Sequence, residues 1–278
     1  IEYGSLRLTT PDGQMRAFAG QKPGPMADLQ LHDWRVIRTL LTKADTGFAQ
    51  DYQNGLWDSS DLIALTSFAM LNEQALNSYV EGGRFWERLL NLGYILQSNT
   101  LKGSRRNIQA HYDLGNDFYR LWLDSSMTYS SALYAQDGQP VPLEQAQNFK
   151  YDRILDQLDS RSGRLLEVGC GWGGFAERAM QRGDFALKGI TLSDEQHEYA
   201  NQRLGDKAQI VLEDYRHQTG KYDHIVSIEM FEAVGEKFWP TYFGKIANLL
   251  KRDGKAVVQT ITIDDSRFEK YRKGTDMI

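Results

Sequence analysis

The chain changes its hydrophobic rhythm near its middle. Past residue 150, a helix through Tyr151, Ile154, Leu155 and Leu158 is followed by short apolar runs at 165–168, 186–190, 210–212, 225–228 and 256–261, separated by amphipathic stretches. Short apolar runs that alternate with helices predict strands buried on both faces, hence a parallel sheet of the α/β class. The front of the chain reads otherwise. Segments 3–9 and 15–18 flank Pro11-Asp12-Gly13, a hairpin pattern, and a short strand is expected at 27–31. A helix from Asp33 should carry Trp34, Ile37, Leu40 and Leu41 on one side, and another, opened by Ser59 or Ser60, runs through Leu62, Leu65, Phe68 and Leu76. These elements predict a smaller α+β domain over residues 1–100 ahead of the α/β domain over 101–278.

Two stretches join these parts. Phe85, Trp86, Leu89, Leu90, Leu92, Tyr94, Ile95 and Leu96 form an apolar helix pattern followed by Lys102, Arg105 and Arg106, which suits either an anionic lipid surface or a core helix with a solvated linker. The run His111-Tyr112-Asp113-Leu114-Gly115-Asn116-Asp117-Phe118-Tyr119, then Met127-Thr128-Tyr129-Ser130-Ser131, is dense in aromatic and short polar side chains. It reads as a lid, or as a helix capped by Asn116 or Asp117 with Phe118, Leu121 and Trp122 as its apolar face.

The stretch Leu165-Leu166-Glu167-Val168-Gly169-Cys170-Gly171-Trp172-Gly173-Gly174-Phe175 holds four glycines in six positions and reads as strand, tight loop, helix. Glycine lets the chain turn with φ > 0 and lets backbone approach a ligand with no Cβ in the way. The spacing Gly169-x-Gly171-x-x-Gly174 is shared with dinucleotide sites, but such a site wants a carboxylate at the tip of the second strand, and this strand ends in Thr191-Leu192. A carboxylate stands instead on the first strand, Glu167, where it suits the cationic amino-acid part of S-adenosylmethionine. Ligands of open parallel sheets lie outside the carboxyl ends of the strands, which gathers Glu167, Gly169, Thr191, Asp214, Ser227, Glu232 and Gln259 around one crevice. Local alternatives stay open: Ser193-Asp194-Glu195-Gln196 is also a capping box, Asp214 a turn or cap residue, and Glu232 a solvated carboxylate at a helix start.

Composition narrows the partners. A net charge of -5 argues against a nucleic-acid footprint. No run of about 18 apolar residues is present and the front lacks a basic-then-apolar signal, so neither a span nor an export signal is expected. The single cysteine, Cys170, fits a reducing cytoplasm and reads as a small buried filler. Scattered histidines give no metal site.

The runs 111–119, 127–130, 166–174, 189–196 (GITLSDEQ) and 230–235 (MFEAVG) together resemble the cyclopropane-fatty-acyl-phospholipid synthase family, which includes the mycolic acid cyclopropane synthases. The front unit more loosely resembles the N-terminal domain of the phospholipid-acting members. The resemblance implies a seven-stranded, Rossmann-like class I S-adenosylmethionine-dependent methyltransferase domain that moves a methyl group onto a cis double bond of an acyl chain. It suggests Tyr129 and Ser130 near the methionine part, Gly169 and Gly171 beneath it, Thr191, Leu192 and Gln196 around ribose and adenine, and Tyr215 beside adenine, where relatives often carry tryptophan; Asp214 and Ile228, at the ends of the third and fourth strands, complete the expected cofactor site. Glu232 corresponds to the family's active-site glutamate and Tyr112 to a tyrosine of the acyl pocket. Tyr112 or Phe231 would face the carbocation left on the chain. The base implied is a bound bicarbonate, held by backbone amides and by a cysteine, the glutamate, a histidine and a tyrosine.

This chain departs from that pattern. Ser131 stands for the cysteine and Gln259 for the histidine, and the tyrosine is expected beyond Ile278. Serine and glutamine still bond an anion, but neither supplies an imidazolium charge. The expectation is a cyclopropane made on unsaturated phospholipid by a protein of the cytoplasm, peripheral at the inner face of the membrane, with a homodimer left open. A methyl-branched or methylene product is the alternative, followed by a methyltransferase for a soluble small molecule and a non-catalytic lipid or S-adenosylmethionine binder. If the basic segment meets the membrane, Lys102/Arg105/Arg106→Ala should abolish sedimentation with anionic liposomes. Unchanged binding would remove that role.

Overall fold

The computed structural model describes residues 1–73, 75–76, 115–134 and 140–273. The chain divides into two compact units, residues 1–97 with 263–278, and residues 98–262. The first unit thus takes in the segment after residue 262, which the sequence pattern assigns to the α/β domain. The apolar helix expected at 85–96, the basic residues Lys102, Arg105 and Arg106, and Tyr112 lie outside the described residues.

In the first unit, β1 (Tyr3–Thr9) and β2 (Met15–Ala19) form the expected antiparallel hairpin. Its turn closes through Thr10, whose N–H donates to Gln14 O and whose carbonyl accepts from Gly13 N, both at 2.9 Å. The strand β3 (Lys22–Leu31) starts five residues before the expected strand and runs parallel to β1. Gly4 and Gly24 permit this start: a Cβ on Gly4 would stand 2.2 Å from Pro25 O, and one on Gly24 2.7 Å from Gly4 N. After α1 (Arg35–Gln53), the short β4 (Trp57–Asp58) completes the order β2-β1-β3-β4. The helix α2 (Leu62–Leu71) buries Leu65 and Phe68 as expected.

Two local expectations change. On α1 the residue driven into the core is Val36, while Trp34, Ile37 and Leu41 stay exposed, so the buried stripe is rotated from the one read off the sequence. The cap of α2 is Asp61, which accepts from Ala64 N at 2.9 Å, because Ser60 is engaged with Asp28 across the sheet. The core is Ala27, Leu31, Val36, Trp57, Leu65 and Phe68. Trp57 stacks on Phe48 with centroids 4.1 Å apart, and its indole N–H donates to Phe48 O at 2.7 Å. The last described helix of the chain, α8 (Asp265–Lys273), belongs to this unit, and Arg267 on it pairs with Glu73 at 3.6 Å.

The second unit carries the α/β pattern. Its strands β5 (Ser162–Val168), β6 (Asp184–Thr191), β7 (Gln209–Leu212), β8 (Tyr222–Ile228) and β9 (Leu250–Gln259) are all parallel, in the order β7-β6-β5-β8-β9. Strand order reverses beside β5, so the carboxyl ends of β5 and β8 flank the switch point where such sheets bind ligands. Successive side chains of a strand face opposite ways, and Leu165 and Leu166 show the consequence. Leu165 joins a cluster with α4 (Leu143–Asp156), α5 (Gly174–Arg182) and α6 (Asp194–Leu204) through Leu155, Phe175 and Ala200. Leu166 joins the other face, packed by Tyr242, Ile246 and Leu249 of α7 (Trp239–Leu249). This double burial is why the strands read as unbroken apolar runs.

Ahead of the sheet lies α3 (Gly115–Arg120). Its buried residue is Tyr119, against Trp172 at 4.9 Å, whereas Phe118, Leu121 and Trp122, the expected apolar face, are exposed. Asn116 and Asp117 sit within the helix and not at its cap.

One polar side chain ties the first unit together. The buried Asn72 accepts from Glu2 N (2.7 Å) and Tyr3 N (3.0 Å) through Oδ1, and donates to Tyr3 O and Phe68 O (both 2.9 Å) through Nδ2. It joins the start of β1 to the end of α2. Asn72→Leu, which leaves these backbone groups without their partner, is expected to cost about 2 kcal/mol or more of that unit's stability in urea unfolding.

Candidate active site

The cavity at the switch point is built on the loop after β5. Gly169, Gly171 and Gly173 hold φ of +80°, +52° and +83°, values that glycine adopts without strain. Two of them differ in surroundings. A Cβ on Gly169 would press on the Met230 side chain at 2.8 Å, whereas one on Gly171 would meet nothing within 4 Å, so Gly171 is where backbone lies open to a ligand. The loop is pinned from below, since Gly169 N and Cys170 N both donate to Ile190 O at 3.0 and 2.9 Å. Trp172 is buried, and its indole N–H donates to Asn116 Oδ1 at 2.5 Å, while Asn116 Nδ2 donates to Glu195 Oε2 on α6 at 2.9 Å. Cys170 is buried, and burial pushes its thiol well above its ordinary value, in keeping with a filler.

From β5, Glu167 enters the cavity wall with only 2% of its surface exposed. Its Oε2 has no hydrogen-bond partner among the described residues. Burial pushes this carboxyl well above its ordinary value, and the Lys150 cation pulls it part of the way back. Lys150 is buried beside it and donates to Ser130 Oγ at 2.6 Å. Burial lowers the Lys150 ammonium to about 8, against the attraction of Glu229, Asp124 and Glu167. Nothing in the sequence singles out Lys150, a lysine one place before the apolar stripe of α4.

The remaining expected cofactor residues arrive from several elements. Tyr129 and Ser130, after α3, line the same cavity. Thr191 and Leu192 line it from the end of β6, Gln196 from the first turn of α6, and Tyr215 and Ile228 from beyond β7 and the end of β8. Ser193 caps α6 as expected, accepting from Gln196 N at 3.2 Å. The Gln196 side chain does not reach back in a capping box; its Oε1 accepts the Thr191 hydroxyl at 2.7 Å, which fixes both at the strand tip. Asp214 is engaged locally. It caps the short 3-10 turn Tyr215–His217, and both its oxygens are held by Arg216, at 2.8 and 2.6 Å. Burial alone would raise the Asp214 carboxyl, but the hydrogen bonds and charge of Arg216 outweigh it and hold it low. Its neighbour Glu213, paired with Lys188 at 3.1 Å, lines the cavity instead.

The four residues expected to carry the chemistry separate. Tyr112 lies outside the described residues. Glu232 is exposed in the 3-10 turn Phe231–Ala233, where its Oε1 accepts from Thr260 Oγ1 at 2.8 Å and from Ile261 N. Phe231 packs on Tyr242 and Phe243, both at 5.1 Å. Ser131 and Gln259, however, come together, and they do so on a residue the sequence reading passes over. Glu229 Oε1 accepts from Ser131 N at 2.9 Å, Ser131 Oγ at 2.6 Å and Gln259 Nε2 at 2.9 Å. The signal available was its place directly after the apolar run of β8, at the tip of a switch-point strand.

These residues fit S-adenosylmethionine. A buried carboxylate with an unmet oxygen complements its cationic groups, and the open Gly171 backbone admits close approach. The profile of the mycolic acid cyclopropane synthetase family matches residues 99–277. Among curated relatives, the tuberculostearic acid methyltransferase UfaA1 of Mycobacterium tuberculosis is 36% identical over 277 residues, 95% of this chain and 63% of that protein. The cyclopropane-fatty-acyl-phospholipid synthase of Escherichia coli K12 is 34% identical over 251 residues, 88% of this chain and 63% of that protein. The chain therefore spans less than two thirds of the length of either. Among solved structures, the cyclopropane synthase MmaA2 from Mycobacterium tuberculosis aligns at a TM-score of 0.56 and 31% identity over 62% of each chain. Mycolic acid cyclopropane synthase CmaA1, complexed with SAH and CTAB, aligns at 0.53 and 36% identity over 55% of each. The described residues form five parallel strands of the sheet of the class I S-adenosylmethionine-dependent methyltransferases, the fold that the family resemblance implies with seven.

Glu167 makes a signed pH prediction. Its folded value lies above the ordinary 4.5, so the native ligand-free protein holds a proton that the unfolded chain has released, and stability falls as pH rises through that window. Glu167→Gln should therefore gain on the wild type in unfolding free energy as pH rises above 4.5. The same variant should bind S-adenosylhomocysteine roughly tenfold more weakly by calorimetry, about 1.4 kcal/mol.

Proposed function

Because this chain belongs to the mycolic acid cyclopropane synthetase family, we propose that it transfers a methyl group from S-adenosylmethionine to the double bond of an unsaturated acyl chain of a phospholipid. The reading rests on one observation: a single cavity is lined by the desolvated Glu167, by apolar side chains such as Ile190, Ile228 and Met230, and by Glu229. Bound there, S-adenosylmethionine supplies an electrophilic methyl group.

An alkene is a weak nucleophile. The protein's part is to hold it in line with the methyl carbon and away from water, and alignment of that kind is worth about 7 kcal/mol or more. Glu167 would hold the cationic amino-acid part, Thr191 and Gln196 the ribose, and Tyr215 and Leu192 the flat faces of the base. Tyr129 and Ser130 would close over the methionine end. Access to an acyl chain places the protein at the cytoplasmic surface of a membrane, and no described helix is long and apolar enough to cross one.

The first product proposed is a cyclopropane. A methyl-branched or methylene chain is the second, and one feature favours it: the likeness to the tuberculostearic acid methyltransferase extends over 95% of this chain. Lipids from a host expressing the protein should contain, in place of monounsaturated chains, chains heavier by CH2 (about 14 Da) for a cyclopropane or methylene product, or by CH4 (about 16 Da) once a methylene group is reduced to a methyl branch, and NMR of the ring protons should tell a cyclopropane from a methylene group. Absence of the added mass would end both versions. Release of S-adenosylhomocysteine should require oleoyl-phospholipid vesicles; equal release with a soluble unsaturated acid would refute the need for a membrane surface.

A further inference from the structure

Bicarbonate is the base that the family resemblance implies, and its fit rests on the donors that would hold it. Ser131 N, Ser131 Oγ and Gln259 Nε2 all point at one oxygen, Glu229 Oε1, at 2.9, 2.6 and 2.9 Å. A bound bicarbonate would need the same donors, and two anions within hydrogen-bond distance repel each other. With Glu229 in this position the anion does not fit.

We propose that Glu229 is itself the base, a carboxylate carried by the chain where a diffusible anion would otherwise bind. The inference rests on the reaction proposed above. Three observations support it. Glu229 sits at the tip of β8 and lines the same cavity as Glu167 and Gly169. Its backbone holds φ at +47°, a conformation unfavourable for glutamate and typical of functional positions, and is fixed by its own N–H donating to Gln259 O at 2.9 Å. All three donors, the Ser131 backbone N–H and the Ser131 and Gln259 side chains, fall on Oε1, so that oxygen anchors the group and Oε2 remains outside the set.

The step balances as follows. Transfer breaks the carbon–sulfur bond, with its electron pair staying on sulfur, and joins the methyl carbon to the acyl chain, which is left cationic. Glu229 Oε2 then takes one proton from that new carbon. The electrons of the broken C–H bond close the third side of a ring or, after a hydride has shifted along the chain, form the double bond of a methylene group. Glu229 passes the proton to water. Ser131 and Gln259 are positioning residues that aim the carboxylate.

The test separates this assignment from the reaction itself. Glu229→Gln keeps the shape and loses the base; it should bind S-adenosylhomocysteine with unchanged affinity in calorimetry, yet turn over dioleoylphosphatidylglycerol vesicles about a hundredfold more slowly or worse. Glu229→Gly suits the left-handed backbone and frees the three donors. In NMR, 13C-labelled bicarbonate should show no line broadening with the wild type and clear broadening with Glu229→Gly, whose turnover bicarbonate should partly restore. Bicarbonate binding to the wild type, wild-type turnover in Glu229→Gln, or loss of S-adenosylhomocysteine binding in both variants would overturn the proposal. If the wild type modifies no lipid, the reaction reading fails, and the bicarbonate titration alone decides whether Glu229 holds the anion's place.

Discussion

A carboxylate kept out of water at the end of β5, with one oxygen unmet, is the constraint on which the second unit turns. Burying an ionised carboxylate costs several kcal/mol, so the ligand-free protein holds Glu167 protonated to pH values well above the ordinary carboxylate range, and a cationic ligand is what would let it ionise in place. The nearby Lys150 offsets part of that cost, but Lys150 is itself buried and bonded to Ser130. The arrangement leaves unused attraction for a positive ligand, and the sheet order, the glycine loop and the caps at the strand tips all place that attraction beside one cavity.

The same division between framework and site explains what could be read from the sequence. Buried parallel strands and the glycine loop are written in local residue types, so their existence and order are plain, and only their ends move: β3 starts at Lys22 and β9 at Leu250. The stripe on α1 is harder, because apolar residues at helical spacing lie on more than one side, and contact with the sheet selects Val36 over Trp34. On α3 the buried ring is Tyr119 for a similar reason: the choice depends on Trp172, 53 residues further on.

Side-chain partners across long separations were the least legible. The bond Asp214 makes could be read from its local pattern, since an aspartate two residues before an arginine closes a turn on itself. Those of Glu229 could not. Its donors come from 98 residues before it and 30 after it, and a glutamate with positive φ has no signature in residue type. The substitutions at Ser131 and Gln259 were visible as departures from the family, but the group they face emerges only when strands β8 and β9 lie side by side.

Trp172 has a consequence for how a ligand is received. Its ring is wedged under the loop between Gly171 and Gly173, bonded to Asn116 and packed on Tyr119, with Asn116 tied in turn to α6. A stretch so rich in glycine would ordinarily sample many shapes, and freezing it on contact would consume binding energy. Here the freezing is done by the fold, so the floor of the cavity has its shape before anything arrives, and the interactions a guest makes there can appear as affinity.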